Sequence, residues 1–292
     1  MTYTKHDWSV VYPLLYQGVS LNKISSKLGI NKSTVYYHYR KLFGKRYKDI
    51  IFEFNSDEEI GEFIGVFVGD GCYSKSKYSH YNISFFFSGD ETQYVDSFSD
   101  FLLKSLGKRP QTYTSPSSPN KIILRYSSRQ IIDFIKSYVF WGGDRKSKSV
   151  SLRGSIDYYS REFCIGFIRG LLDTDGYSSK YRRVVFSTAS PYLNSQTKEI
   201  LDRFGTQYTQ YINTYENNKK MKRTGGKWGP QYNLDIRGLH AVTLIHLLHP
   251  RNQKRVRPWA LPSHQNSDRD ERDCTDKEQT DKQFKANRQV LN

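Results

Sequence analysis

Apolar positions fall first into a short block of helical spacing. Trp8, Val11, Leu14 and Leu15 suit one helix, and Ile24 and Leu28, four apart, share one face of a second. Gly29 breaks that helix, and Ile30 follows as a buried plug. Asn31 is a good N-cap for a third helix starting at Lys32, with Val35 and Tyr39 turned inward. A short helix, a glycine turn and a second helix describe a helix-turn-helix, expected over residues 1–50. The outward positions of its last helix (Lys32, Ser33, Thr34, Tyr36, Tyr37) are basic, hydroxylic or aromatic. They suit the base edges and phosphates of a DNA major groove.

The rest of the chain repeats itself. IGEFIGVFVGDG (60–71) and IGFIRGLLDTDG (165–176) align without gaps at an offset of 105 residues. Gly61, Gly65 and Gly69 fall over Gly166, Gly170 and Thr174, and Asp70 and Gly71 over Asp175 and Gly176. After each motif come a Tyr/Ser/Lys stretch, a β-rich run, an amphipathic helix ending in Gly, two strand-like segments and a closing apolar helix. The order αββαββα is therefore expected twice, over 51–155 and 156–263, giving an α+β fold of two pseudo-symmetric halves.

A small residue at every fourth position lets two helix backbones approach closely. If the two stripes meet, Asp70 and Asp175 arrive together at the helix ends. Two close carboxylates repel, and a carboxylate at a helix C-terminus opposes the helix dipole. A divalent metal relieves both. Mg²⁺ accepts carboxylate and carbonyl oxygens, keeps waters and joins phosphate oxygens, so it can activate water against a phosphodiester.

Composition narrows the chemistry. The 292 residues carry 45 Lys and Arg against 29 Asp and Glu, a net +16, with 23 Tyr, 17 Phe and 4 Trp. Residues 264–292 hold 7 acidic and 6 basic residues and almost nothing apolar, and read as a disordered tail. Without them the excess is +17 over 263 residues. Positive charge interleaved with aromatics points to nucleic acid. No apolar run approaches the roughly 20 residues of a membrane span. Three scattered cysteines form no zinc cluster or disulfide framework, and the polar start lacks a signal-peptide core. An intracellular setting (cytoplasm, nucleoid or organelle matrix) is expected.

Phe63 to Gly71 (FIGVFVGDG) and Ile168 to Gly176 (IRGLLDTDG) resemble the nine-residue motif of the LAGLIDADG homing endonucleases. Asp173 also matches that motif's inner acid, where the first copy has Val68. The resemblance covers roughly 56–262. It implies a single-chain, monomeric enzyme of intron homing whose two sheets form a basic saddle on double-stranded DNA. It implies metal-dependent cleavage of both strands across the minor groove, leaving short 3′ overhangs. Asp70 and Asp175, with the carbonyls of Gly69 and Thr174, would hold Mg²⁺ or Mn²⁺. The family also places a basic residue near each metal centre late in each half. Lys146 and Lys254 are the choices here, although spacing from Asp70 prefers Lys148 to Lys146.

DNA contacts are expected on the strands, turns and a basic Gly-rich loop (214–231): Tyr73, Lys75, Lys77, Arg125, Lys148, Tyr177, Lys180, Arg182, Arg183, Lys222, Arg223 and Arg237, besides Lys32, Ser33, Thr34 and Tyr37 in the helix-turn-helix. Two other readings share the scaffold. One is a non-cleaving transcriptional regulator, disfavoured because both terminal acids are kept. The other is an RNA maturase that assists group I intron splicing, with intron RNA as partner.

Overall fold

The computed structural model describes residues 8–44, 50–75, 81–115, 118–142, 145–214 and 229–256. Lys77, Lys222, Arg223 and the expected tail at 264–292 lie outside them. The chain divides into two compact units, 1–50 and 51–292.

The first unit has three helices: α1 (Trp8–Tyr16), α2 (Leu21–Leu28) and α3 (Lys32–Phe43). Ser20 Oγ caps α2 by accepting from Lys23 N, and Asn31 Oδ1 caps α3 by accepting from Ser33 N. Between them Gly29 takes the left-handed conformation (φ 62°), which admits glycine without strain. That turn drops Ile30 into a core of Val11, Leu15, Leu21, Ile24 and Val35. The α3 side chains Lys32, Ser33 and Tyr37 stay exposed, and Thr34 is half-buried.

The second unit contains the αββαββα order twice. The first copy is α4 (Asp57–Asp70), β1 (Gly71–Lys75), β2 (Tyr81–Ser88), α5 (Thr92–Leu106), β3 (Gln111–Ser115), β4 (Ser118–Ser127) and α6 (Arg129–Tyr138). A link of β5 (Val139–Phe140), α7 (Lys146–Ser149) and β6 (Ser151–Leu152) follows. The second copy is α8 (Arg161–Thr174), β7 (Tyr177–Ser179), β8 (Arg183–Thr188), α9 (Pro191–Arg203), β9 (Thr209–Asn213), β10 (Gln231–Arg237) and α10 (Gly238–Leu248). Both sheets are antiparallel with the same topology, β1-β2-β4-β3 and β7-β8-β10-β9. Each buries one face under helices. Phe85 and Phe87 of β2 meet Tyr94 and Phe98 of α5, while Val184, Phe186, Leu234 and Ile236 fill the second core.

The two copies meet through α4 and α8, and the contact is reciprocal. A Cβ on Gly61 would stand closer than 3.0 Å to the Phe163 carbonyl, and one on Gly166 equally close to the Glu58 carbonyl. Gly65 meets Phe167 O and Gly170 meets Glu62 O in the same way. The stripe is thus a backbone-to-backbone seam with no room for a methyl group.

The seam also holds a buried ion pair that the two copies do not share. Glu62 is fully buried, paired with Arg169 Nη1 at 3.1 Å and Arg251 Nη2 at 3.0 Å. Arg169 also bonds Glu58 and the Leu248 carbonyl. Burial pushes the Glu62 carboxyl upward, and the two guanidiniums pull it back in part.

Gly166→Ala should destabilise the protein by about 3 kcal/mol in urea unfolding, because the seam must open to admit the methyl. An unchanged unfolding midpoint would show that the helices are not in backbone contact.

Candidate active site

The seam delivers both motif acids to one place. Asp70 is the last residue of α4, and Asp175 caps α8. A Cβ on Gly69 would lie 3.5 Å from Asp175 Oδ2, which puts the second acid beside the end of the first helix. Asp70 is 20% exposed at its side chain, and its Oδ2 is buried without a hydrogen-bond partner. Burial, then the charge of Asp175, push the Asp70 carboxyl up to about 7. Asp175 is more open to solvent, yet desolvation by its crowded surroundings raises it too.

Two cations stand at the acids. Lys146 Nζ donates to the carbonyls of Phe67 (2.6 Å), Val68 (2.8 Å) and Gly69 (3.3 Å). They lie in the last turn of α4, where the Phe67 carbonyl also accepts the Gly71 N–H, so the ammonium offsets the negative end of the helix. Burial brings Lys146 down to about 8, against the opposing pull of Asp175, Cys72 and Asp70. The second cation is Arg255, whose Nη2 lies 3.8 Å from Asp70 Oδ2.

Lys254, expected in that role, is elsewhere. Its ammonium is held by Asp90 Oδ2 at 2.7 Å, largely in solvent, and its neighbour Arg255 takes the place at the acids. Lys148, favoured by spacing, is exposed and lies beside Gly229. Two positions along α7 turn it away from Lys146.

The end of α8 is capped differently. Asn252 Nδ2 donates to the Asp173 carbonyl at 2.9 Å, and the Asp173 carboxylate accepts the backbone N–H groups of Arg251 and Asn252. Burial pushes Asp173 up to about 7 despite those bonds. The Thr174 hydroxyl donates to Gly170 O inside its own helix.

Among the described residues no cluster of three His, Cys, Asp or Glu gathers. The Asp70–Asp175 pair nonetheless fits a hard divalent cation. It offers two carboxylates, one with an unbonded buried oxygen, at helix ends rich in carbonyls, leaving positions for water or phosphate.

A family model described as a LAGLIDADG-like domain matches residues 162–240, the span from the second motif through its four strands. Residues 162–240 carry a LAGLIDADG-like domain. Similar solved structures include mesophilic variants of the homing endonuclease I-DmoI (16% identity over 67% of this chain and 97% of that one, TM-score 0.48). I-DmoI in complex with DNA and Ca is similar too (15% identity, 66% and 89%, TM-score 0.48). So is full-length DUF199/WhiA from Thermatoga maritima (13% identity, 69% and 58%, TM-score 0.44). No curated protein matches the chain by sequence. No helix among the described residues is long and apolar enough to cross a membrane.

Strand register sorts the expected DNA contacts of the LAGLIDADG-like domain and its companion copy. Residues opposite each other share a face. In the second sheet Tyr177 opposes Val185, Val185 opposes Asp235, and Arg183 opposes Arg237, all on the face away from Val184 and Ile236. Asp235 is buried between the two arginines. It accepts from Arg183 Nε and Nη2 at 2.8 and 2.9 Å and from Arg237 Nη2 at 2.6 Å. Lys180 and Arg182 sit in the β7–β8 turn, Arg182 with φ 50°.

In the first sheet Arg125 opposes Ser84 and Gln111 on the open face, and its Nε donates to Ser84 Oγ. Tyr73 and Lys75, expected on this face, fall on the opposite one. Tyr73 opposes the buried Ile83, which in turn opposes the buried Tyr126, so it faces the helix layer, where it meets Trp141. Lys75 shares that face, with its ammonium over the Tyr81 ring. Alternation gives the open face to Cys72, Ser74, Asn82, Ser84, Gln111 and Tyr113 instead.

A carboxyl raised above its ordinary range stabilises the fold below pH ~4 and loses that contribution as pH climbs through about 7. Chelator-treated Asp70→Asn should therefore melt roughly 5 °C above the wild type at pH 8, with the gain gone near pH 4. Calorimetry at the two pH values checks this, and an equal gain at both would refute the buried charge.

Proposed function

We propose that this chain is a site-specific, divalent-metal-dependent homing endonuclease that cuts both strands of a long double-stranded DNA target and leaves short 3′ overhangs. The observation that carries the reading is the meeting of Asp70 and Asp175 at paired helix ends, with Asp70 Oδ2 buried and unbonded. The match of residues 162–240 to a LAGLIDADG-like domain supports it further.

Asp70 and Asp175, with the carbonyls of Gly69 and Thr174, are the groups that would hold Mg²⁺ or Mn²⁺. Such an ion lowers the pKa of bound water and stabilises the leaving oxygen of a phosphodiester. Asp70 must shed a proton first, so ion binding competes with protonation near neutral pH. Lys146 and Arg255 supply positive charge where the phosphate gains negative charge, and Lys146 titrates close enough to neutrality to exchange a proton with water.

Arg183 and Arg237 are held by Asp235 and suit guanine edges, with Tyr177 and Arg125 on the same kind of surface. Lys180, Arg182 and Lys148 serve phosphates, as would Lys222 and Arg223. Lys32, Ser33, Thr34 and Tyr37 form a second DNA contact in the helix-turn-helix, whose tether to the nuclease raises overall affinity. One chain supplies both acids and so acts as a monomer.

Cleavage-site selection on a double-stranded DNA library with Mg²⁺ should yield one long site. Asp70→Asn and Asp175→Asn should each lower cleavage at least ~100-fold while DNA binding survives. Sequence-specific binding without cutting in any divalent metal would instead make the chain a regulator. Deleting residues 1–50 should weaken binding and flatten its salt dependence, by about one unit of slope for each phosphate no longer neutralised. The cut position should not move, and a displaced cut would mean that the helix-turn-helix chooses the site.

A further inference from the structure

The segment after α10 reaches across to the first half. Its anchor there is Glu91, at the turn between β2 and α5, with a side chain only 3% exposed. Glu91 Oε1 accepts from Arg255 Nε at 2.6 Å and from Asn252 Nδ2 at 2.9 Å, and Oε2 accepts from Ser88 N at 2.8 Å. Both oxygens are therefore occupied by protein donors. Burial acts to raise this carboxyl, but the bonds from Arg255, Asn252 and Ser88 outweigh it and keep Glu91 charged.

Arg255 is shared unequally. Its Nε bonds Glu91 directly, whereas its Nη2 stops 3.8 Å short of Asp70 Oδ2, the oxygen that no donor reaches. An unrestrained guanidinium beside a buried carboxylate closes to a direct, charge-assisted bond. Such a bond would occupy the oxygen a cation needs. Resting on the metal-dependent reading of the site, we propose that Glu91 is a positioning residue: it tethers Arg255 one step back from Asp70 and so keeps Asp70 Oδ2 open to a divalent ion. Arg255 then offsets charge nearby without competing for the ligand.

The test is Mn²⁺ binding to the full chain, followed by the loss of the free-ion electron paramagnetic resonance signal, with no DNA present. Glu91→Gln should weaken Mn²⁺ binding about tenfold or more, the usual scale for an outer-shell partner. Glu91→Asp keeps the charge but shortens the tether, and should fall between Gln and wild type. In an Arg255→Gln background the Glu91→Gln step should change affinity by less than about twofold, because the competitor is gone.

Wild-type affinity in Glu91→Gln overturns the proposal. So does a loss that persists without Arg255, since that is only a missing negative charge or a disturbed fold. A wild-type chain that binds no Mn²⁺ overturns both this inference and the metal-dependent reading. If the variants behave as expected but no DNA is cut, the inference stands and the nuclease reading falls.

Discussion

Contact between two helix backbones is possible only where neither helix carries a side chain at the crossing. In α4 and α8 that condition is met at Gly61, Gly65, Gly166 and Gly170, each facing a carbonyl of the other helix. The candidate active site is downstream of this spacing. It brings the last residues of both helices together, so that Asp175 lies beside Gly69 and both sheets start from the same point. Two helices separated by ordinary leucine-sized side chains would sit ~8–10 Å apart at their axes. The acids at their ends would then lie apart.

The fold concentrates charge where burial disfavours it. Asp70 and Asp173 are both pushed up to about 7, and Lys146 is brought down to about 8, each mainly by desolvation. These groups are not scattered. The raised acids line the ends of the two motif helices, and the depressed lysine caps one of them through three backbone carbonyls. The other end is capped by a neutral amide, Asn252, while Arg255, the cation beside Asp70, is bound back to Glu91. The two halves thus solve one electrostatic problem with different groups, and the centre they build is asymmetric despite its repeated backbone.

Sequence carried the architecture because repetition and period are local signals. The small residue every fourth position, the Asp-Gly ends and the order of strands and helices all reappear as α4 and α8 with their matched sheets. Errors came from parity and from distance along the chain. Whether Tyr73 or Cys72 faces outward depends on how β1 leaves α4, and a one-residue change inverts every position. Lys254 and Arg255 differ by the same single step. Glu91, Asn252 and Arg255 meet across more than 160 residues, and Glu62 joins Arg169 across 107. No local pattern announces such partners, because an acid at a helix start reads as an ordinary cap and an arginine in an apolar run reads as surface.

The buried pair in the seam tells the two copies apart. Glu62 stands where the second copy has Phe167, and Arg169 where the first has Ile64. Two first copies would bury Glu62 opposite isoleucine, and two second copies would bury Arg169 opposite phenylalanine. The first assembly would take the Arg169 partner from Glu62, and the second would take both Glu58 and Glu62 from Arg169, at a cost of several kcal/mol in a low-dielectric contact. Only the mixed pair closes. The two repeated halves are therefore not interchangeable parts, since in the seam each supplies the charge that the other lacks.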